Sequence, residues 1–518
     1  MTHARTLRFF AVPVIIVGVA ILGLTLAARG ADVHRHPIVP IRHIILFIGD
    51  GMQMAHEVAA SRYLYAAGDG LAFHRFPLQV DVATWDVTTY NYWAKRRGER
   101  PYDPNRILPW LGYNPGEGGT RPESLRENGA EQGSKMAYLA AAATDSASAA
   151  TAWSTGFKTD DGNIAWLSGD PIEGALTTLA ERLRREKGFA IGVVSTVPFS
   201  HATPAAHVSH NVDRDHYVAI AADILRRFQP EVVIGGGHPK WVGKFKYLSE
   251  TDYTALKTDG FGETYVFAER RRGVDGAAAL LAAARTAARQ GRKLFGLFGG
   301  ADGNFESPVP VDHPGAPEVN PASVENPLLK DCVSAALTVL SRDPEGFFVM
   351  FEQGDIDWAN HANDFRRLIG TMWDLNEAVR TAVAFIERPG DDITWFNTLL
   401  IVTADHGNSG MRLGEPLGAG DLPLQVKSVI SPCLSGYCDT YVYPEGNVTY
   451  ASGSHTNELV RLYAVGSGLS LFEPYQGAWY PGTRIIDNTH IFHVMAAAAG
   501  LSHPSGLATV ESGFENPK

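Results

Sequence analysis

The chain has 518 residues, of which 19% are charged, and a formal net charge of -11. Two or three average domains would fit this length, although large α/β enzymes also reach it as a single domain. The acidic balance argues against a general nucleic-acid-binding surface, because such surfaces carry an excess of Lys and Arg. An anionic substrate would therefore need local positive charge, which bound metal ions can supply.

The first 32 residues are predicted to be a targeting segment. Arg5 and Arg8 precede an apolar run over residues 9–28, and small residues end the run. This pattern is typical of a secretory signal. The run is also long enough to span a bilayer, so an uncleaved membrane anchor stays open. Both interpretations predict an exported protein, which is periplasmic or secreted in the first case and membrane-anchored in the second.

Five continuously apolar runs are predicted to be buried strands. Because their residues do not alternate with polar ones, both faces of the sheet should be covered. Ala-rich stretches with helical character lie between the runs, and this alternation predicts an α/β fold with a doubly wound, mostly parallel central sheet and helices on both faces. The strands are predicted at residues 43–48, 190–194, 232–234, 347–351 and 398–402, and the helices at 174–187, 217–228, 276–289 and 326–341.

Acidic and histidine side chains follow three of these runs, at the ends where ligands bind in such sheets. Asp357 and His361 are four residues apart, so a helix would place both on one face, where they could hold one ion. Taken singly, each residue could be a helix cap, an exposed pair or part of a turn. Taken together they favour metal binding. The candidates are Asp50, Glu352, Asp357, His361, Asp405, His406 and, in a Gly/Ser loop, His455.

Ser146 lies between Asp145 and a run of small residues. A helix that starts here would direct free N–H groups at the group that the serine attacks, which suits an anion. A simple capping motif would explain the segment on its own. Beside carboxylates and imidazoles, however, the serine is typical of a metal-activated nucleophile.

Two irregular stretches, at about residues 85–133 and 411–453, interrupt the strand–helix pattern. Loops of this length are usually functional, and both begin near candidate site residues, so we expect insertions over the active site. Cys433 and Cys438 lie in the second stretch. A local disulfide is expected in an exported protein, with two unpaired thiols as the alternative.

Six segments resemble those of alkaline phosphatases and occur in the same order. The resemblance extends from about residue 41 to residue 500 and implies an alkaline-phosphatase-like catalytic domain at 33–518 after the 1–32 segment. It also implies hydrolysis of phosphate monoesters with broad specificity, through a phosphoserine intermediate at a site with two Zn²⁺ and one Mg²⁺. The segments are 47–52, 144–156, 201–206, 352–361, 403–407 and 453–456.

The resemblance implies a role for each site residue. Where this chain has His201 and Trp358, one bacterial branch has Asp and Lys, which leaves open whether the third site holds magnesium or zinc. Imidazole is a poorer magnesium ligand than carboxylate. The implied sets are Asp357, His361 and His455 for the first zinc; Asp50, Asp405 and His406 for the second, with Ser146 as nucleophile; Asp50, Thr203 and Glu352 for magnesium; Arg214 for phosphate; and Asp145, His201 and Trp358 around the phosphate or third metal.

Two other functions stay open. A phosphodiesterase of the same superfamily would share the two-metal sheet edge, but it is expected to lack the third-metal residues Thr203 and Glu352. An exported metal- or phosphate-binding protein would not need both Ser146 and Arg214. The sequence leaves the physiological substrate undetermined, and it leaves open whether the chain forms a homodimer.

Overall fold

The structure is a computed structural model that describes Met1 and residues 41–122, 130–414, 417–428 and 440–502. The predicted N-terminal targeting segment and the Cys433–Cys438 pair lie outside the described residues. Cys332 is described and is buried in a helix. Within the described ranges, no helix is both long and apolar enough to cross a membrane.

The described residues contain strands in one large sheet and in four small two-stranded sheets. In chain order they are β1 (His43–Gly49), β2 (Leu78–Ala83), β3 (Ala190–Pro198), β4 (Val232–Gly236), β5 (Tyr265–Glu269), β6 (Lys293–Leu297), β7 (Val309–Val311), β8 (Glu318–Asn320), β9 (Phe347–Gln353), β10 (Thr398–Thr403), β11 (Gly407–Asn408), β12 (Arg412–Leu413), β13 (Val426–Ser428), β14 (Thr440–Val442), β15 (Val448–Thr449), β16 (His455–Thr456), β17 (Val460–Gly466) and β18 (Ile486–Asp487).

The large sheet has ten strands in the order β18-β2-β17-β10-β1-β9-β3-β4-β6-β5. Its pairs are parallel except those that β17 makes with β10 and with β2. The predicted mostly parallel central sheet is therefore confirmed, and the five predicted strands lie within β1, β3, β4, β9 and β10. Every residue of β1, β9 and β10 is buried. Continuously apolar strands form here because helices cover both faces of the sheet.

The helices include two series in which neighbours pack together: Met54–Tyr65, Phe365–Glu387, Leu329–Leu340 and Gly276–Gln290 in one, and Asn488–Ala498, Ser146–Thr155, Ala202–Val208 and Leu179–Lys187 in the other. The helices are α1 (Met54–Tyr65), α2 (Val87–Arg97), α3 (Pro109–Gly112), α4 (Pro115–Gly118), α5 (Ala130–Leu139), α6 (Ser146–Thr155), α7 (Leu179–Lys187), α8 (Ala202–Val208), α9 (Tyr217–Asp223), α10 (Pro239–Val242), α11 (Glu250–Asp259), α12 (Gly276–Gln290), α13 (Leu329–Leu340), α14 (Asp355–His361), α15 (Phe365–Glu387) and α16 (Asn488–Ala498), with 3₁₀ turns at Ala72–Arg75 and Leu469–Tyr475 and a π-helical turn at Ile224–Phe228.

The first irregular stretch, residues 85–133, is partly helical, because α2, α3, α4 and the start of α5 lie within it. Its aromatic residues form a second apolar cluster that is separate from the main core, with Trp85, Tyr113 and Tyr480 buried in it. The Trp85 indole donates a hydrogen bond of 2.8 Å to the Tyr480 hydroxyl. The aromatic side chains that obscure the sequence periodicity are thus the ones that give this stretch its own core.

Candidate active site

The site lies at the carboxyl ends of three adjacent strands, β10, β1 and β9. Asp50 follows β1, Glu352 is the second-to-last residue of β9, and Asp405 follows β10 after one residue. The Gly51 N–H donates a hydrogen bond of 2.8 Å to Asp405 Oδ1 and so joins two of these strand ends. Gly51 has φ +67, and a Cβ there would lie 2.8 Å from Asp357 Oδ1. Only glycine allows the carboxylates to approach this closely.

The first group of possible metal donors consists of Asp50, Asp405 and His406, whose donor atoms all lie within 4.8 Å of one another. His406 Nε2 is 3.0 Å from Asp405 Oδ2 and 3.5 Å from Asp50 Oδ1. Burial and the charge of Asp405 raise the pKa of Asp50 well above its ordinary value. Burial also opposes ionisation of Asp405, but the nearby His406 outweighs it and lowers the pKa of that carboxyl. Crowded buried carboxylates of this kind are stabilised by a cation.

The second group consists of Asp357, His361 and His455. His361 Nε2 lies 3.1 Å from Asp357 Oδ2, and His455 Nε2 lies 3.4 Å from Asp357 Oδ1. The two Nε2 atoms are 3.1 Å apart. Burial opposes the charge on all three groups, but their mutual attraction wins: the pKa of Asp357 is lowered, and the pKa values of His361 and His455 are raised.

The predicted Gly/Ser loop at His455 is wrong in detail, because His455 begins the two-residue strand β16. This strand pairs with β11, and His455 lies opposite Asn408. The pairing returns His455 to the segment that follows Asp405 and His406. A ring separation of 3.6 Å between His406 and His455 brings the two donor groups into contact, and Asp357, His406 and His455 also place donor atoms within 4.8 Å of one another.

Backbone carbonyls fix the orientation of these imidazoles. His361 Nδ1 lies 2.7 Å from the Gly453 carbonyl oxygen, and His455 Nδ1 lies 2.9 Å from that of Thr144. A carbonyl oxygen only accepts hydrogen bonds, so each Nδ1 carries the proton and donates it. Each Nε2 is therefore the atom directed at the carboxylates, which is the arrangement that metal-binding histidines adopt.

Ser146 is the first residue of α6 and is buried beside the first donor group. Its Oγ lies 3.3 Å from His406 Nε2 and 3.5 Å from each carboxylate oxygen of Asp50. Asp145 caps the helix by accepting a hydrogen bond of 2.9 Å from the Ser148 N–H. The serine is thus held at a helix N-terminus, where the free N–H groups and the helix dipole favour an anion.

Arg214 precedes α9 and reaches the start of α6 through an ion pair of 2.7 Å between its NH1 and Asp145 Oδ2. Burial would raise the pKa of Asp145, but Arg214 and the Ser148 hydrogen bonds lower it to about 2. Burial likewise opposes the charge on Arg214, and Asp145 outweighs it, so the pKa of the guanidinium is raised. Asp145 and Arg214 are therefore both charged at neutral pH beside Ser146.

Glu352 and Thr203 supply a third set of oxygen atoms near Asp50. Glu352 Oε1 and Thr203 Oγ1 are buried, and neither has a hydrogen-bond partner of ordinary geometry in the described part of the chain. Burial and the charge of Asp405 raise the pKa of Glu352 to about 7. His201 immediately precedes α8 at its N-cap position, and its side chain makes no capping hydrogen bond within the described residues. Burial and the charge of Arg214 lower the pKa of His201 to about 3, so its ring is neutral at neutral pH.

The structure places Trp358 and Tyr217 beside His201, with ring separations of 6.4 Å and 6.1 Å. Tyr217 has no counterpart among the residues singled out in the sequence, and neither do Ser195 and Asn408. The Ser195 hydroxyl hydrogen-bonds the other oxygen of Glu352, and the Asn408 amide donates a bond of 2.5 Å to Asp357 Oδ1. Only position in the sequence could have indicated that Ser195 and Asn408 belong to the site, since Ser195 directly follows a predicted strand and Asn408 lies two residues after His406.

Comparison with known proteins identifies the family. A family model described as "Alkaline phosphatase" matches residues 127–421. The chain belongs to the alkaline phosphatase family. Alkaline phosphatase H of Pseudomonas aeruginosa is 31% identical over 391 residues, which cover 69% of this chain and 73% of that protein. The alkaline phosphatase of Escherichia coli is 28% identical over 496 residues, which cover 89% and 87%.

Solved structures of alkaline phosphatases share the fold. The enzyme from Thermus thermophilus superposes with a TM-score of 0.58 at 22% identity and covers 92% of this chain and 96% of its own. The enzyme from the Antarctic bacterium TAB5 superposes with a TM-score of 0.56 at 21% identity and covers 90% and 100%. The resemblance found in the sequence and the α/β fold are both confirmed, and this member of the family is a hydrolase of phosphate monoesters.

Proposed function

We propose that this alkaline phosphatase transfers the phosphoryl group of its substrate to Ser146 and then to water, at a centre of two Zn²⁺ ions and one Mg²⁺ ion. The observation that carries the proposal is the position of the Ser146 hydroxyl. It lies 3.3 Å from His406 and 3.5 Å from Asp50, at the edge of a compact donor group. A nucleophile in this position can be activated by an ion that those side chains hold.

The donor chemistry fits the proposed metals. Nitrogen and carboxylate oxygen donors, three to an ion, are typical of catalytic zinc. The third set offers only oxygen, which suits magnesium, and Glu352 interacts with both Thr203 and Asp50, so the three side chains bring buried oxygen atoms together. We assign Asp357, His361 and His455 to the first zinc, Asp50, Asp405 and His406 to the second, and Asp50, Thr203 and Glu352 to magnesium.

Bound zinc ions supply Lewis-acid stabilisation of the attacking and leaving oxygens. The Ser146 hydroxyl releases its proton to solvent as Oγ forms the new bond to phosphorus and the bond to the alcohol oxygen breaks, and the alcohol oxygen takes up a proton from solvent. A water molecule then attacks the phosphoserine, the bond between phosphorus and Ser146 Oγ breaks, and inorganic phosphate is released. Because the side chains around the site hold the phosphoryl group rather than the alcohol, we expect broad specificity.

Two features of the protein hold the phosphoryl group. The Arg214 guanidinium can bind two of its oxygens at once, which is the geometry that arginine offers to phosphate. Asp145 keeps this guanidinium in place through the ion pair of 2.7 Å. The N-terminal N–H groups of α6 add positive potential on the same side as Ser146. Both features neutralise charge on the oxygens that do not react.

Replacing Ser146 with alanine tests the proposal. The S146A variant should keep its metal content and lose at least about 100-fold in kcat, because no hydroxyl is left to attack. Ser154→Ala is a matched control, since Ser154 is also buried in α6 but lies near its other end and bonds only to the Thr151 carbonyl. Wild-type kcat in S146A, with S154A unchanged, would exclude Ser146 as nucleophile.

The same assay separates monoesterase from diesterase activity. We expect an aryl phosphate monoester to be hydrolysed with a much higher kcat/KM than the matched diester, because Arg214 and the α6 N-terminus bind the unsubstituted phosphate oxygens. A higher kcat/KM for the diester in the wild-type enzyme would show that the site is not built for monoesters, whatever the role of Ser146.

We propose that His201 weakens magnesium binding at the third site. A structure titled as a His-to-Asp mutant of the TAB5 alkaline phosphatase holds magnesium in a site named M3. In this chain the neutral His201 ring offers nitrogen where a carboxylate would offer oxygen, and oxygen is the ligand that magnesium prefers. Zinc can therefore compete for the third site.

We also propose that residues 1–32 direct export and that residues 33–518 form the catalytic domain, with the stretches at 85–133 and 411–453 next to the active site. N-terminal sequencing of active enzyme from cell fractions tests the first part. A new terminus near Arg29 to Asp32 means a cleaved signal, and an intact start in the membrane fraction means an anchor. Active enzyme with an intact start in the cytosol would contradict export.

A further inference from the structure

A cavity of about 440 Å³ opens beside strands β2 and β17, and none of its lining residues belongs to the candidate active site. Among the described residues, Arg121, Arg461 and Arg484 line it, together with the single acidic residue Asp81 and the hydroxyl-bearing Thr120. Three arginines against one aspartate give these described lining residues a formal charge of about +2 by simple counting. This local excess is notable in a chain whose net charge is -11.

Only one of the three arginines is neutralised. The antiparallel register of β17 and β2 sets Arg461 opposite Asp81, and Arg461 Nε lies 2.9 Å from Asp81 Oδ1. Asp81 is 8% exposed, so this ion pair is largely buried. The pair leaves no spare acidic group among the lining residues.

The other two arginines come from separate segments, and neither has an acidic partner in the part of the chain that the structure describes. Arg121 follows α4, and Arg484 precedes β18; both are exposed. Arg484 Nε donates a hydrogen bond of 2.9 Å to the Gln476 side chain, and no carboxylate of the described ranges is within ion-pair distance of either guanidinium. Burial raises the pKa of Asp81, and the charges of Arg461, Arg121 and Arg484 all act against this rise, so the three arginines share one small region.

We propose that this cavity is a second anion site that binds a small phosphate-bearing molecule, of which inorganic phosphate is the simplest. Guanidinium groups bind phosphate oxygens in pairs, and the Thr120 hydroxyl offers a neutral donor on the same wall. A cavity of this volume lies within the range of small-molecule sites. A bound anion would relieve the repulsion between Arg121 and Arg484.

The size and setting of the cavity favour a small anion over a macromolecule. A nucleic acid or a membrane surface needs an extended array of basic residues, because each phosphate contact adds only a small increment. Here the positive charge is confined to one concave site, and the chain as a whole is acidic. Long-range repulsion would therefore oppose a large polyanion, whereas it acts little on a small one at physiological salt.

Calorimetric titration of inorganic phosphate into the full-length, metal-loaded enzyme tests the site. The wild type should bind two phosphates per chain, one at the active site as product and one in the cavity. The double variant Arg121→Gln/Arg484→Gln should bind one, or bind the second at least about tenfold more weakly, because two charged hydrogen-bond donors are lost. Monoesterase activity and thermal unfolding of this variant should match the wild type.

Arg289→Gln is a matched control, because Arg289 is an exposed arginine of α12 whose side chain bonds only Thr286. This variant should keep both phosphates. A single phosphate in the wild type, or two of equal strength in the double variant, would overturn the proposal. Binding of wild type and double variant to vesicles of phosphatidylglycerol is measured last. If the double variant loses vesicle binding but still binds two phosphates, the arginines contact a membrane, and the proposed phosphate site is wrong. None of these outcomes depends on whether Ser146 is the nucleophile.

Discussion

The two donor groups of the active site stand on different parts of the fold. Asp50, Asp405 and His406 follow central strands, and their side chains are at most 1% exposed. Asp357, His361 and His455 come from a short helix and a two-residue strand, and their side chains are 8%, 19% and 20% exposed. Ser146 lies against the first of these groups. The proposed nucleophile therefore lies against the fully buried group at the ends of the central strands, and the other group is closer to solvent.

Metal removal should separate the two groups and cause the largest effect. A chelator is expected to abolish monoesterase activity, and zinc with magnesium should restore it. Because His361 and His455 are more exposed, we expect about one zinc per chain to leave quickly and the second to leave slowly. Elemental analysis of samples taken during chelation measures both steps. Simultaneous loss of all ions would show that the groups do not differ in access.

Substituting one proposed metal ligand from each donor group should show that the two groups differ in their effect on stability. Asp405→Ala removes a ligand and also the acceptor of the Gly51 N–H, so it should reduce kcat at least about 100-fold and lower the melting temperature. His361→Ala should cost one zinc per chain with little change in melting temperature, because its side chain is partly exposed. Metal content, kcat and melting temperature are measured on the same preparations. An equal loss of stability in both variants would contradict the contrast.

The metal-free enzyme should become less stable as pH rises. Burial raises the pKa of Glu352 to about 7, and Asp357 raises the pKa of His361 and His455 against burial. Groups whose folded pKa is raised stabilise the fold below their unfolded pKa, and this contribution is lost as pH rises through the folded value. For Glu352 the loss runs from about pH 4.5 to beyond pH 7.

Melting temperatures of metal-free and metal-loaded enzyme between pH 5 and pH 8.5 check this expectation. Bound cations replace the protons, so the loaded enzyme should show a much smaller decline over the same range. The Asp357 carboxyl has a lowered pKa, so the stability that it contributes is lost as pH falls. This loss begins only below the ordinary pKa of an aspartate, about 4. A metal-free enzyme that gains stability from pH 5 to pH 8.5 would contradict the assignment of these groups.

The smallest expected effect concerns the third site. His201→Asp should tighten magnesium binding several-fold, since a carboxylate oxygen suits that ion better than an imidazole nitrogen does. Titration of magnesium into zinc-loaded wild type and variant measures the change. His207→Asn is a useful control, because His207 is buried in the same helix and bonds to Trp153 rather than to the site. Unchanged or weaker magnesium affinity in H201D would place His201 away from the third site.

Burial also determines which strands the sequence could predict. Strands β1, β9 and β10 were identifiable because every side chain is buried, and the residues that follow them were expected to meet at one edge. Strands β2 and β17 were not identified, because polar residues such as Asp81 and Arg461 interrupt their apolar pattern and pair across strands. Their positions beside β10 depend on contacts between residues far apart in the chain.

The site shows the same division between local and distant information. Asp357 and His361 could be joined from their helical spacing alone. The pairing of His455 with Asn408 and the bond between Ser195 and Glu352 arise from strand register, which no local pattern contains. The roles of Arg214 and Thr203 were available only through the resemblance to a family, because neither residue stands in a distinctive local motif.

The central claim is that Ser146 receives the phosphoryl group, and its most direct test is to trap that group. The enzyme is mixed with a phosphate monoester, quenched in acid within milliseconds and digested, and the peptides are analysed by mass spectrometry. We predict one phosphoryl group on the peptide that contains residues 144–156, located at Ser146 and missing from S146A. Phosphorylation of another residue, or an unmodified enzyme under conditions where S154A and wild type turn over normally, would contradict the account.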